Sequence, residues 1–175
     1  ALLYHSSSTD TSFLRLNTPP PSGVTFSGWT TSTPSLSQPS TGLHNPRGDL
    51  QKISFGRLLN FQNCSDAGGS SFTCVTTNSA VGSYLEIGFT RGVTEPGSSG
   101  SGIFLDGNKY LYGQLYGGDD SCQNSSGTST YGRFDKAYAN GNLGQWLSVP
   151  KISYSLRVTN QGHGTITSSP EGIDC

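Results

Sequence analysis

Residues 94–104 read Thr-Glu-Pro-Gly-Ser-Ser-Gly-Ser-Gly-Ile-Phe, a glycine- and serine-rich turn that runs directly into an apolar strand. Such a turn suits a serine nucleophile, because the hydroxyl must project from a tight backbone and small neighbours let a substrate carbonyl approach. Ser99 is the best-placed hydroxyl, and the backbone N–H groups of Gly97 and Ser99 are candidate oxyanion donors. The chain contains 24 glycines, however, and the same string is typical of an ordinary loop, so the turn alone leaves both interpretations open.

The composition of the 175-residue chain favours a secreted or extracellular protein. Charged residues make up only 12% and the formal net charge is −1, which argues against the basic patch of a nucleic-acid binder and against a polybasic membrane anchor. No apolar run approaches the roughly 18 residues of a membrane span. The 8 tyrosines, 8 phenylalanines and 2 tryptophans supply core material, so disorder is not expected. We expect no cofactor, no nucleic-acid partner and no membrane partner.

Short runs in which apolar residues alternate with polar ones, separated by turn clusters, predict an all-β fold. Many short strands with regular turns indicate a barrel or a sandwich rather than a βαβ unit. One helix is predicted over residues 135–147 with Asp135 capping its start, although Gly141 and Gly144 weaken that pattern. The candidate strands are residues 1–4, 11–16, 24–29, 42–44, 51–55, 72–76, 84–89, 102–104, 110–115 and 130–134.

The four cysteines point to export rather than to metal binding. Cys64 and Cys74 flank a glycine- and serine-rich turn and are predicted to form a local disulfide, with two free buried thiols as the alternative. No Cys-x-x-Cys pair is present and no histidine stands at zinc-finger spacing, so no metal site is expected. Cys122 and Cys175 have no obvious mate.

The flanks of the 94–104 turn closely resemble the C-terminal half of trypsin-like serine endopeptidases, with the bacterial lysyl endopeptidase family as the nearest match. The resemblance covers roughly residues 7–148. Its motifs are EPGSSGSGIF (95–104), YLYGQLYGG (110–118), the Ser-Cys pair at 121–122 and YGRF (131–134), with STDTSFLRLN (8–17), FSGWT (26–30) and GLHNPRGDLQKIS (42–54) upstream.

The resemblance implies a two-barrel, chymotrypsin-like fold of which the chain holds the second barrel. Residues 1–22 are then the end of the N-terminal barrel and the interdomain linker, and residues 23–148 are the C-terminal barrel with its terminal helix. Composition shifts at residues 148–150. The segment YSLRVTNQGHGTITSSPEGIDC (154–175) resembles the opening of a bacterial extracellular β-repeat, so residues 149–175 are expected to form a linker and the truncated start of such a repeat.

The resemblance also implies roles for individual residues. Ser99 is the nucleophile, and Asp10 is the triad aspartate that orients a histidine base. Asp10 precedes Ser99, as the chymotrypsin-type order requires. The strand end Tyr116, Gly117 and Gly118 is expected to pair with the substrate backbone, and Cys122 is expected to bond a cysteine near the mature N-terminus.

The charge of the specificity pocket is left open by the sequence. Ser129 is the substrate-binding position at which lysyl endopeptidases keep an aspartate, and Val93 stands where trypsin keeps its own. A pocket for lysine or arginine needs a buried carboxylate. Asp119 and Asp120 could supply charge from another direction, but we interpret them as exposed loop carboxylates.

The general base is missing from the sequence, since a serine nucleophile needs an imidazole within hydrogen-bond reach. The family's histidine lies upstream of the triad aspartate, and His5, His44 and His163 are interpreted as structural or exposed. We therefore expect a fragment of a secreted serine endopeptidase that acts on protein or peptide substrates. It would be inactive without the missing N-terminal barrel. The alternative is a non-catalytic homologue that serves as a binding or adhesion module.

Overall fold

The computed structural model describes residues 1–68 and 71–147 of the chain. Within these ranges it contains nine strands, one single-turn 3₁₀ helix (η1) and two short α-helices. Their bounds are β1 (Leu2–Ser6), β2 (Thr11–Leu14), β3 (Pro39–His44), η1 (Pro46–Gly48), β4 (Lys52–Gly68), β5 (Ser71–Thr77), β6 (Tyr84–Arg91), β7 (Gly102–Leu105), β8 (Leu111–Gly118), β9 (Thr128–Arg133), α1 (Phe134–Asn140) and α2 (Gly144–Leu147). The β-module predicted for residues 149–175 lies outside the described residues.

Seven of the described strands form one antiparallel sheet in the order β3-β7-β8-β9-β6-β4-β5. Strand β3 pairs with β4 as well as with β7, so the sheet curls into a barrel-like form. Side chains alternate across each strand, which lets one face of the curled sheet supply a common core. The buried core side chains are Leu58, Phe61, Leu85, Ile87, Ile103, Tyr112, Leu115 and Tyr131. The predicted all-β class is confirmed.

Strands β1 and β2 form a separate hairpin arm that packs its turn against the sheet. Thr9 in that turn is fully buried, and its carbonyl oxygen accepts a hydrogen bond of 2.7 Å from Nε2 of Gln114 in β8. The backbone of Gly132 in β9 approaches so closely that a Cβ there would overlap the Thr9 carbonyl. The turn of the arm therefore places residues 9 and 10 against strands β8 and β9.

Two of the strand predictions fail in the structure. Residues 24–29 form no strand, and only Trp29 makes an isolated bridge, to Leu111. The strand predicted over 51–55 instead runs for 17 residues as β4. Strand β4 pairs with β3 at its start, with β6 along its middle and with β5 at its end. Because register shifts interrupt its pairing with β6, one simple alternation does not describe it.

The predicted C-terminal helix is present but divided. Helix α1 ends before Gly141 and a second short helix, α2, begins at Gly144. Asp135 does not cap the helix, because the N-cap position belongs to Arg133 and Asp135 lies in the first turn. Its carboxylate instead accepts hydrogen bonds from the buried Arg133 guanidinium.

The predicted disulfide is present. Cys64 in β4 and Cys74 in β5 face each other in register and are joined by an S–S bond. The bond closes the outer hairpin of the sheet, whose strand β5 carries Phe72 toward the site described next.

Candidate functional site

The Gly-Ser turn between β6 and β7 presents Ser99 to solvent while it buries Ser98, whose residue is 1% exposed. Gly97 and Gly100 adopt φ angles of +96° and +80°, a left-handed conformation that glycine accepts without strain. Two of the glycines in the 94–104 stretch are therefore needed for the backbone path that turns Ser99 outward.

Among the described residues, hydrogen bonding leaves two backbone donors of this turn free. The N–H groups of Ser98, Gly100 and Ser101 donate to backbone carbonyls at 3.0, 2.7 and 3.1 Å. The N–H groups of Gly97 and Ser99 have no acceptor among the described residues. These are the two predicted oxyanion donors, and both flank the exposed hydroxyl of Ser99.

Arg47 in η1 makes hydrogen bonds to the start of the same turn. The Arg47 N–H donates to the Pro96 carbonyl at 2.8 Å, and its Nε donates to Oε2 of Glu95 at 2.8 Å. The hydrogen bond from Arg47 is the main reason that the pKa of Glu95 lies below its ordinary value. The backbone before Gly97 is thus held by two contacts to one residue.

His44 is buried behind the turn, and both of its ring nitrogens are engaged. Nδ1 lies 3.0 Å from Oγ of Ser98, and Nε2 lies 3.0 Å from Oγ of Ser54. Ser54 donates its hydroxyl to the Val93 carbonyl at 3.3 Å, so its oxygen accepts from Nε2–H and Nδ1 accepts the Ser98 hydroxyl. Burial lowers the pKa of His44, and the negative charge of Asp120 partly offsets this shift. The ring is therefore neutral and contacts Ser98 rather than Ser99.

Asp10 lies in the turn of the β1–β2 arm with a φ of 45°. Burial raises the pKa of its carboxyl, which makes no hydrogen bond or ion pair with the described residues. Burial raises the pKa of Tyr84 to about 12, and the charge of Asp10 adds to that shift. The same charge contributes, after burial and Asp66, to the raised pKa of Tyr116. Asp10 therefore lies near the strand that borders Ser99, with its carboxylate unpaired.

A cleft of about 390 Å³ opens beside Ser99. The predicted substrate-pairing residues Tyr116, Gly117 and Gly118 line it, and the ring of Tyr116 packs on Phe72 with centroids 4.4 Å apart. Its other lining residues are Asp66, Ser71, Thr94, Glu95, Pro96, Leu115 and Asp120. Ser129 does not line the cleft, but its hydroxyl hydrogen-bonds to two residues that do.

The interpretation of Asp120 as an exposed carboxylate is wrong, whereas Asp119 is exposed as expected. Asp120 is 6% exposed. Its carboxylate accepts hydrogen bonds from the Thr94 N–H at 2.6 Å, the Thr94 hydroxyl at 3.1 Å and the Ser129 hydroxyl at 2.7 Å. One feature of the sequence could have indicated this placement, which is the serine at position 129, where the resemblance implies an aspartate.

Other kinds of site are not seen in residues 1–68 and 71–147. These residues contain no group of three or more His, Cys, Asp or Glu side chains that could hold a metal ion. They also contain no helix that is long and apolar enough to cross a membrane. Cys122 is exposed and forms no disulfide with a described residue, and His163 lies outside the described part of the chain.

Known proteins are similar to this chain in sequence. The family model described as lysyl endopeptidase, C-terminal domain, matches residues 1–133. The lysyl endopeptidase of Pseudomonas aeruginosa is 34% identical over 124 residues, which cover 69% of this chain and 24% of that protein. The chain therefore spans about a quarter of the length of this curated relative.

Solved structures support the same fold at low sequence identity. The active form of a protease from M. tuberculosis superposes with a TM-score of 0.54 and 16% identity, covering 90% of this chain and 60% of that one. Kallikrein-related peptidase 10 superposes with a TM-score of 0.52 and 16% identity, covering 76% of this chain and 63% of that one.

Proposed function

The chain belongs to the lysyl endopeptidase C-terminal domain family, and from this premise we propose that it carries the nucleophile of a serine endopeptidase. One observation carries the proposal. Ser99 is exposed at the edge of a cleft, and its own N–H and that of Gly97 have no acceptor among the described residues, while the N–H groups of Ser98, Gly100 and Ser101 are bonded. Two free donors beside one exposed hydroxyl suit an oxyanion hole, in which the donors meet charge that forms in the transition state.

The chemistry then proceeds by acyl transfer. Oγ of Ser99 attacks the carbonyl carbon of the scissile peptide bond as a histidine removes its proton. The carbonyl oxygen becomes an oxyanion that accepts hydrogen bonds from the N–H groups of Gly97 and Ser99. The histidine returns the proton to the leaving amine. Water then attacks the ester, and the carboxylic product leaves Ser99 free.

In this proposal the histidine base comes from a part of the protein outside these 175 residues. His44 is committed to Ser98 and Ser54, and its lone pair on Nδ1 already accepts a hydroxyl proton. The unpaired carboxylate of Asp10 is available to accept N–H from such an imidazole and to hold its orientation. The chain alone is then expected to be inactive.

The same proposal includes secretion, so that the protein acts outside the cell. The disulfide between Cys64 and Cys74 supports it, because structural disulfides form and persist in oxidising compartments.

A second candidate function is a non-catalytic module that keeps the fold and binds peptides. The engagement of His44 on both ring nitrogens favours it, since this imidazole is not free to activate Ser99.

Expression of the complete reading frame that encodes this sequence distinguishes the two functions. We expect a fluorophosphonate probe to form an adduct that peptide mapping places on Ser99. Peptide hydrolysis should be abolished by Ser99→Ala and lowered on the order of 10³–10⁴-fold by Asp10→Asn. Ser126→Ala, in an exposed loop, is the matched control and should retain full activity. A folded protein that neither reacts with the probe nor cleaves peptides would support the binding module instead.

A further inference from the structure

A buried carboxylate that has no counter-ion among the described residues lines the cleft beside Ser99. The ion pairs among the described residues involve Glu95, Asp49, Asp106 and Asp135, and none involves Asp120. Removing a carboxylate from water is costly unless hydrogen bonds and an opposite charge compensate it. Among the described residues, Asp120 has hydrogen-bond donors but no opposite charge, so its carboxylate is a candidate binding position for a cation.

The hydrogen bonds of Asp120 hold its carboxylate in place and still leave one acceptor position unused. Thr94 donates through both its N–H and its hydroxyl, and Ser129 donates through its hydroxyl. The two hydroxyls also contact each other at 2.9 Å, so the three residues form one network. An ionised carboxylate offers about four acceptor positions, of which three are used here. The remaining position can accept an N–H from a ligand.

The walls of the cleft suit a long side chain with a charged end. Ser99 and Gly118 are exposed, whereas Thr94 and Asp120 are buried, so the cleft runs from the nucleophile toward the carboxylate. Leu115 and the packed rings of Phe72 and Tyr116 provide apolar surface along it. Lysine and arginine side chains have an apolar stem of matching character and a cationic head.

Two further carboxylates line the cleft but do not compete for this role. Glu95 is already paired with Arg47 at 2.8 Å. Asp66 is exposed in the β4–β5 hairpin and accepts a hydrogen bond from the Gly68 N–H. Asp66 is exposed in the lining and adds negative potential to the cleft, which favours approach of a cation.

We propose that Asp120 is the specificity-determining residue of this cleft and binds the cationic side chain of the residue whose carbonyl Ser99 attacks. The inference rests on the proposed peptidase function. It explains the serine at position 129: the 2.7 Å hydrogen bond between Ser129 and Asp120 brings the two side chains together, so a carboxylate on either residue reaches the same region. In this chain the carboxylate comes from the loop after β8 rather than from β9.

The first test uses the protein expressed from the complete reading frame. Its substrates are fluorogenic peptides with lysine, arginine, norleucine or glutamate before the scissile bond. We expect kcat/KM to favour lysine and arginine, and Asp120→Asn to lower it on the order of 10²–10³-fold for these two substrates. Cleavage after norleucine, which has no charge, should change by less than about threefold. Asp119→Asn is the matched control and should keep the wild-type preference. Equal cleavage after lysine and norleucine in the wild type would overturn the proposal.

A second variant tests the proposal even if Asp120→Asn does not fold. The exchange Asp120→Ser with Ser129→Asp moves the carboxylate to the other side of one hydrogen bond and should restore the preference for cations. Failure of a folded exchange variant to prefer lysine or arginine would contradict the idea that the two positions serve one region.

The second test measures binding without catalysis on the 175-residue chain itself. Titration with n-butylammonium should shift the amide resonances of Thr94 and Ser129, with a Kd on the order of millimolar for so small a probe. Matched 1-butanol should not produce these shifts, and Asp120→Asn should abolish them. Absence of binding to the wild type would refute the role of Asp120, even if the Ser99 adduct forms. Binding in a protein whose Ser99 is unreactive would uphold the cation site and reject only the peptidase reaction.

Discussion

Replacement of His44 by glutamine should change how the stability of the chain depends on pH. His44 is 2% exposed and links Ser98 and Ser54, each 1% exposed, through its two ring nitrogens. A glutamine amide carries its donor and acceptor on one carbon and cannot span both hydroxyls. One buried hydroxyl is then left unpaired, at a cost of about 1–3 kcal/mol in the free energy of unfolding near neutral pH.

The pH dependence follows from the lowered pKa of His44. Below about pH 6.5 the imidazole of the unfolded chain takes up a proton, whereas the buried imidazole of the folded chain resists it. The unfolded state therefore binds more protons, and the stability of the wild type falls as pH decreases from about 6.5 toward the lower pKa of the folded state. A single group of this kind contributes a slope of at most about 1.4 kcal/mol per pH unit.

Urea unfolding between about pH 5 and 8 measures this slope. His44→Gln should remove it, so the variant should lose less stability than the wild type as pH falls. His5→Gln, at an exposed position of β1, is the matched control and should follow the wild type. The raised pKa of Asp10 acts in the opposite direction but equally in all three proteins, so it cancels in the differences. Parallel curves for wild type and His44→Gln would refute the buried, neutral state of His44.

Two other substitutions test how the elements around the cleft are held. Gly132→Ala places a Cβ against the Thr9 carbonyl and should cost about 1–3 kcal/mol, with the pKa of the Asp10 carboxyl, followed by NMR, moving down toward its ordinary value. Gly107→Ala, where a Cβ meets nothing within 4 Å, should leave both quantities unchanged, and an unchanged Gly132→Ala would contradict the close packing of the arm. Loss of the Cys64–Cys74 bond in Cys74→Ser should lower the unfolding free energy by up to about 3 kcal/mol in urea titrations, as closure of a loop of this length predicts. Because Phe72 lies in the same hairpin, butylammonium binding should weaken as well, and unaltered binding would show that the bond does not support the cleft wall.

The sequence was informative where one rule governed a whole segment. Alternation located β6 and β9 to within about two residues, because each keeps one pair of neighbours along its length. The same alternation did not predict β4, because this strand pairs with three different strands along its length and its register against β6 shifts twice. The nucleophile turn could be identified because its backbone path needs glycines at fixed positions, and these are visible as letters.

The network behind the turn could not be identified in this way. His44 and Ser98 are separated by 54 residues, and nothing in their local sequences indicates that they meet. The pairing of β3 with β7 brings the end of one strand close to the turn that precedes the other. Contacts of this kind depend on strand register, which local patterns do not specify.

Register also decides which of two neighbouring aspartates enters the cleft. Strand β8 pairs with β9 as far as Gly118 opposite Ser129. Asp119 extends this pairing, since its N–H donates to the Thr128 carbonyl at 3.1 Å and its own carboxylate accepts the Thr128 N–H at 2.7 Å. With Asp119 held at the sheet edge, the next residue, Asp120, carries its carboxylate to Ser129. A pocket for a cation requires negative charge at a place in space rather than at one position in the sequence, and Asp120 brings a carboxylate to Ser129 although position 129 itself is uncharged.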